Sequence, residues 1–253
     1  MPSEKQIILA FDAYGTLLST ESIANQLASH FGDEKAKIIA QDWRKYQLEY
    51  TWRMNSMNLY DSFFNITRKS LQNALAGAGA SLKSEDVHSL MNAYNTLSVF
   101  PDVPPLFEHL KSNSHIHAVI FSNGTNDMIS ASLSQSPDLS PHKNLFKDVV
   151  VVEPVEKFKP CPEVYHYLCQ KVGKERRQSE VWLISGNPFD VVGANAVGMR
   201  TCWVDRVGAG WMDELVAGEY GRPTVVVKGL NEVVAKIVGH VGKELGQPLQ
   251  SVE

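Results

Sequence analysis

Residues 7–17 read IILAFDAYGTL, five apolar residues closed by an aspartate and followed at once by a turn. Continuous apolarity, rather than strict alternation, marks a strand covered on both faces, as in a parallel sheet. Four later runs share this character: HAVIFS at 117–122, VVVV at 149–152, VWLIS at 181–185 and TCWVD at 201–205. Helical patterns separate or follow them, over 102–112, 126–135, 161–172, 189–197 and 230–242. Strands alternating with helices predict an α/β fold, a doubly wound, Rossmann-like parallel sheet.

Residues 19–97 break the alternation and carry no convincing strand. Trp43, Tyr46, Tyr50, Met54 and Met57 recur at spacings of three and four, which is one face of a helix. Further helices fit 21–31, 59–76 and 84–95. The aromatic stripe is the packing face of an all-helical block, so the expected organisation is a core of residues 1–18 and 98–253 with a helical cap domain, 19–97, inserted after the first strand. The chain re-enters the core near Phe100-Pro101-Asp102, where proline ends the preceding pattern. The polar piece SQSPDLSPHKN at 134–144 is expected to be a surface loop.

Bulk properties narrow the function. The 253 residues are 43% hydrophobic and carry a formal net charge of −4, with 24 Lys and Arg against 28 Asp and Glu. No basic run supports nucleic-acid binding. No apolar run approaches the roughly 20 residues needed to cross a bilayer, and the short apolar amino-terminal run contains Asp12, so no secretory signal is expected. The cysteines, Cys161, Cys169 and Cys202, lack CxxC spacing and read as reduced thiols of a cytoplasmic protein. Gly208-Ala209-Gly210 does not extend to a dinucleotide fingerprint, since position 213 is Asp.

Ligands of open parallel sheets gather at the carboxyl ends of strands. Polar residues cluster beyond four strands: Asp12 with Tyr14, Gly15 and Thr16; Ser122 with Asn123, Gly124 and Thr125; Lys159-Pro160; and Ser185-Gly186-Asn187-Pro188-Phe189-Asp190. A lone aspartate at a strand end also serves as a cap or turn residue. Four such clusters in order are not explained by capping.

FDAYGTL, then SNGT, KFKPCPEVY and SGNPFD, resemble the haloacid dehalogenase superfamily, and specifically its L-2-haloacid dehalogenases; WRKYQLEYTW at 43–52 is similar to that family's cap. The resemblance runs to about Arg206. Phosphatases of this superfamily use a second aspartate two residues after the nucleophile as general acid, whereas this chain has Tyr14. They also hold Mg²⁺ with a Gly-Asp pair where this chain has Gly186-Asn187, a neutral amide in place of a hard anionic oxygen.

The resemblance implies a metal-independent hydrolase without a cofactor, acting on a small 2-substituted carboxylate. In it Asp12 is the nucleophile and forms an ester. Backbone N–H groups after Asp12, with Ser122 and Thr16, hold the substrate carboxylate, and Arg44, Asn123 and Phe189 receive the halide. Lys159 charge-balances Asp12, Tyr165 supports that pocket, and Ser185, Asn187 and Asp190 position and activate the hydrolytic water. Each has a plainer reading: Arg44 as a surface charge, Tyr165 as packing, Asn187 as a turn residue and Asp190 as a counter-ion for Lys159. The family more often shows SSNxWD at the fourth motif, so Gly186 and Phe189 are expected to alter the halide pocket. A strained ring such as azetidine-2-carboxylate and a Mg²⁺-dependent phosphomonoester stand as alternative substrates, and a silent binding protein as an alternative class. A homodimer is implied by resemblance alone.

Overall fold

The computed structural model describes residues 6–244. The expected strands form, and a sixth joins them: β1 (Ile7–Asp12), β2 (Ile116–Ser122), β3 (Phe146–Val151), β4 (Val181–Ser185), β5 (Arg200–Val204) and β6 (Val225–Val227). All pairs are parallel, in the order β3-β2-β1-β4-β5-β6. The chain builds outward from β1 on one side, then crosses to β4 on the other. β1 therefore stands at the switch in strand order, where the helices leave a crevice at the carboxyl ends. Register puts Asp12 opposite Phe121 and Phe11 opposite Ile184. The next step along β2 and β4 brings Ser122 and Ser185 to the same rim.

Helices α5 (Val103–Ser112), α6 (Asn126–Gln135), α7 (Pro162–Lys171), α8 (Pro188–Ala196) and α9 (Val233–Glu244) connect or follow the strands. Proline lies in the first turn of α5, α7 and α8, where its missing N–H has no helical partner to lose. Thr125 caps α6 by accepting the Met128 N–H at 3.2 Å, a bond of about 1 kcal/mol in such positions.

Between β1 and β2 lie α1 (Ala24–Phe31), α2 (Asp33–Ser56), α3 (Phe63–Gly77) and α4 (Ser84–Tyr94), with no named strand among them. They pack on one another through the expected stripe: Trp43 is buried, and its indole N–H donates to the Thr67 carbonyl of α3 at 2.7 Å. Met57 does not belong to the stripe, because α2 ends at Ser56 and the Met57 side chain is exposed. The two connections to the sheet run side by side: Leu18 and Val99 form an antiparallel bridge, the Ser19 N–H donates to Ser98 O (2.8 Å) and the Phe100 N–H to Leu17 O (3.1 Å).

The 134–144 piece is not simply a surface loop. Its start completes α6, its end enters a 3₁₀ turn (Ser140–Leu145), and Leu139 is buried, with the His142 ring 4.5 Å from that of Phe107. The three cysteines carry free thiols; Cys169 and Cys202 are buried, and burial pushes the Cys169 thiol up to about 11. Among the described residues, no helix is long and apolar enough to cross a membrane.

Candidate active site

The four polar clusters meet at the carboxyl end of β1. Asp12, almost fully buried, divides its oxygens unequally. Oδ2 receives Thr16 Oγ1 at 2.9 Å, Asn187 Nδ2 at 2.7 Å and, more weakly, Ser185 Oγ at 3.4 Å. Among the described residues, Oδ1 receives only Lys159 Nζ, at 3.0 Å. The hydroxyl directions are set by what the oxygens accept. Thr16 Oγ1 takes the Gly186 N–H (2.9 Å) and Ser185 Oγ takes the Asn187 N–H (3.1 Å), which turns both protons toward Asp12.

Lys159 is 1% exposed and directs its three N–H bonds at Asp12 Oδ1, Asp190 Oδ2 (2.9 Å) and Phe121 O (2.9 Å), with its Nζ 4.1 Å from the Phe121 ring centroid. Burial alone would lower its pKa, but Asp12 and Asp190 outweigh that penalty and hold it above the ordinary lysine value. Burial, with the Asp12 charge, raises the Asp190 carboxyl against the pull of Lys159. The remaining Asp190 oxygen, Oδ1, accepts the Tyr165 hydroxyl at 2.7 Å. Both Asp190 oxygens are thus engaged, which is the geometry of a counter-ion for Lys159 and leaves water activation without direct support. Tyr165 packs edge-on against Phe121, and its hydroxyl donates to Asp190. Burial, then Asp190, drive its phenol pKa far up, so it stays a donor.

Ser122 makes no hydrogen bond to Asp12. Its Oγ accepts the Gly124 N–H at 3.0 Å, which leaves the hydroxyl proton for a ligand. Asn123 presents Oδ1 to the Lys159 backbone N–H (2.9 Å), so its amide donors face elsewhere. The expected backbone anion site after Asp12 is only partly there, because the Gly15 N–H goes to Leu18 O and the Thr16 N–H to Ala13 O. At Gly186 a β-carbon would stand 2.7 Å from the Gly15 carbonyl oxygen, so glycine is what lets the two turns approach this closely. Phe189 meets the exposed edge of α2, its ring 5.4 Å from that of Trp52. Tyr14 is buried between Phe63 (5.5 Å) and Tyr94 (5.4 Å), and burial raises its phenol pKa well above 10, a poor proton donor for a leaving group.

Arg44 reaches the site from α2. Its Nη2 donates to Tyr14 O (3.2 Å) and Asn187 Oδ1 (3.3 Å), and its Nη1 to Gln47 Oε1 (2.7 Å). Arg44 is therefore no surface charge, and Asn187 no mere turn residue. Gln47 was not legible as a site residue, although it falls four positions after Trp43 on the buried face. It donates to Thr67 Oγ1 (2.7 Å) and Tyr94 Oη (3.1 Å), a buried network that orients the guanidinium. Asn55 was also missed: its side chain donates to Phe158 O (2.7 Å) and accepts the Phe158 N–H (2.9 Å), tying α2 to the residue before Lys159.

Residues 8–198 match the model of the haloacid dehalogenase-like hydrolases. The chain belongs to that family. Among curated relatives of this hydrolase, (S)-2-haloacid dehalogenase 4A of Burkholderia cepacia is 32% identical over 198 residues, covering 78% of this chain and 82% of the relative. The (S)-2-haloacid dehalogenase of Pseudomonas sp. strain YL is 33% identical, covering 79% and 83%. In structure, the hydrolase is similar to L-2-haloacid dehalogenase from Xanthobacter autotrophicus with chloropropionic acid covalently bound: TM-score 0.79 and 27% identity, over 92% of this chain and 99% of that one.

Proposed function

We propose that this hydrolase is an (S)-2-haloacid dehalogenase, converting a short L-2-haloalkanoate to a 2-hydroxy acid and halide through an ester on Asp12, with inversion at C2. The observation that carries the reading is the unequal solvation of Asp12. Three donors surround Oδ2, while Oδ1 has Lys159 alone and keeps a lone pair for attack. Oδ1 displaces the halide from the rear of C2, forming one C–O bond as the carbon–halogen bond breaks. Water then adds to the Asp12 carboxyl carbon as it gives up one proton to solvent, and the charge that develops on Oδ2 falls among Thr16, Asn187 and Ser185, donors already in place. Collapse breaks the bond from the carboxyl carbon to Oδ1, and the leaving alkoxide takes the remaining proton of that water, returning the carboxylate and the hydroxy acid.

Residues 19–97 act in this reading as a cap that delivers Arg44 to the halide, beside the Asn123 amide and the Phe189 ring. The Ser122 hydroxyl is a donor for the substrate carboxylate. Lys159 orients and charge-balances Asp12, with Asp190 and Tyr165 behind it. The relatives' names and the bound chloropropionic acid of the Xanthobacter structure support a carbon–halogen substrate. Homodimerisation belongs to the same reading, and the exposed apolar residues Ile38, Met57 and Leu59 offer the cap as its interface, to be read by light scattering.

The deciding experiment measures chloride release from L-2-chloropropionate with a chelator present. The native enzyme should release one chloride per D-lactate formed, and Asp12→Asn none. In a single turnover in H₂¹⁸O the label should enter Asp12 rather than lactate. Label found only in lactate, or no halide from any short haloacid, defeats the reading.

A further inference from the structure

Arg206, two residues past β5, binds both connections between the sheet and the helices of residues 24–94. Its Nε and Nη2 donate to the two carboxylate oxygens of Asp102, at 2.9 and 3.0 Å. Nη2 also donates to Thr16 O at 2.7 Å, and Nη1 reaches Gly15 O at 3.5 Å. The guanidinium lies 3.8 Å from the centroid of the Phe100 ring, and Asp102 Oδ2 is fixed from behind by the Leu230 N–H at 2.8 Å. One side chain thus grips the outgoing connection at 15–16 and the returning one at 100–102, and anchors both to the segment before α9.

We infer that Arg206 is the positioning residue of Thr16, acting through it on the oxyanion side of Asp12; the inference rests on the reading of Asp12 as nucleophile. Thr16 has two ends in this geometry. Its side chain bridges the Gly186 N–H and Asp12 Oδ2, and its carbonyl is held by Arg206. The turn that carries it contains Gly15 at φ +85°, a conformation glycine enters freely. Its inner edge is closed by the bonds of residues 15–18 to Leu18 O and Ala13 O. The outward carbonyls of Gly15 and Thr16 meet Arg206. A lysine cannot take over: it presents one point charge, whereas four acceptor oxygens here match the fork of a guanidinium. Because a displacement of 1 Å at a reacting centre costs about a hundredfold in rate, a loosened Thr16 should register in kcat more than in substrate binding.

The test is a double-mutant cycle on chloride release from L-2-chloropropionate, with Thr16→Val, Arg206→Gln and the two together. Arg206→Gln should lower kcat about 30-fold with KM within about threefold. Arg206→Lys should not restore it, and the double variant should be no slower than Thr16→Val alone. Losses that multiply across the cycle, or a wild-type kcat in Arg206→Gln, overturn the inference. Amide hydrogen exchange supplies a readout that needs no turnover. Arg206→Gln should speed exchange at Ser19, Phe100 and Val103 and leave β1 and β4 unchanged; unaltered exchange at those three amides overturns the inference. Failure of wild-type chloride release would instead remove the proposed function, and the exchange result would then decide the brace on its own. Asp102→Asn, which keeps Arg206 but weakens one arm, should move both readouts the same way by less.

Discussion

The Lys159 ammonium directs all three of its N–H bonds at protein oxygens, two of them carboxylate. Its pKa lies above the ordinary lysine value because Asp12 and Asp190 outweigh the effect of burial. A cation whose folded pKa is raised contributes stability that is complete below the unfolded value of about 10.4 and is lost only as pH climbs through the folded one. The stability gap between the native enzyme and Lys159→Met should therefore hold constant from about pH 7 to about pH 10, followed by urea denaturation, and close only above that. The gap itself should be about 3 kcal/mol or more, since removal of the lysine leaves two carboxylates facing each other in the interior. A gap that shrinks steadily across that range would show that the ammonium is not held as described. Lys159 was legible in the sequence because a lysine before proline follows a strand in a chain with one aspartate at a strand end and another in the first helical turn beyond a second strand. Gln47 was not: a glutamine among the aromatic residues of a helix gives no sign of its partners, and one of them, Tyr94, is 47 positions away.

Helix α8 owes its place to Gly193. A β-carbon there would lie 2.6 Å from both the Tyr165 hydroxyl oxygen and the Pro160 side chain, so the helix approaches α7 at a distance only glycine permits. Gly193→Ala should cost about 1–3 kcal/mol by overpacking and should also lower kcat, because the displaced phenol is the one that holds Asp190. A melting temperature and turnover both equal to wild type would contradict this. The strands that flank β1 were legible because each is a continuous apolar run buried on both faces. β6 was not: it has only three residues, at the sheet edge, with Val226 exposed, too short a stretch for a period to register. The 3₁₀ turn at Ser140–Leu145 was masked by its own serine, proline and asparagine, which read as loop until Leu139 and His142 are seen to pack inward.

For the molecule as a whole, the insertion of helices after β1 could be read from where the alternation of strands stopped, whereas the order of the strands came from the structure. How the inserted helices meet the core could not be read, because that contact joins residues far apart in the chain. Asn55 and Phe158, separated by 103 positions, exchange two hydrogen bonds, and the Phe158 ring stacks on Tyr60 at 5.3 Å. Asn55→Ala should reduce stability by about 1–3 kcal/mol and lower kcat about tenfold, with the larger effect on kcat if the cap is what seats Lys159. Unchanged turnover with reduced stability would confine the pair to a structural role.

That junction has a mechanical meaning. The cap grips residue 158 and the core, through Asn123, grips residue 159. The two residues on either side of one peptide bond therefore answer to different parts of the fold. A shift of the helices against the sheet would be felt first at the peptide that carries the ammonium, and through it at Asp12.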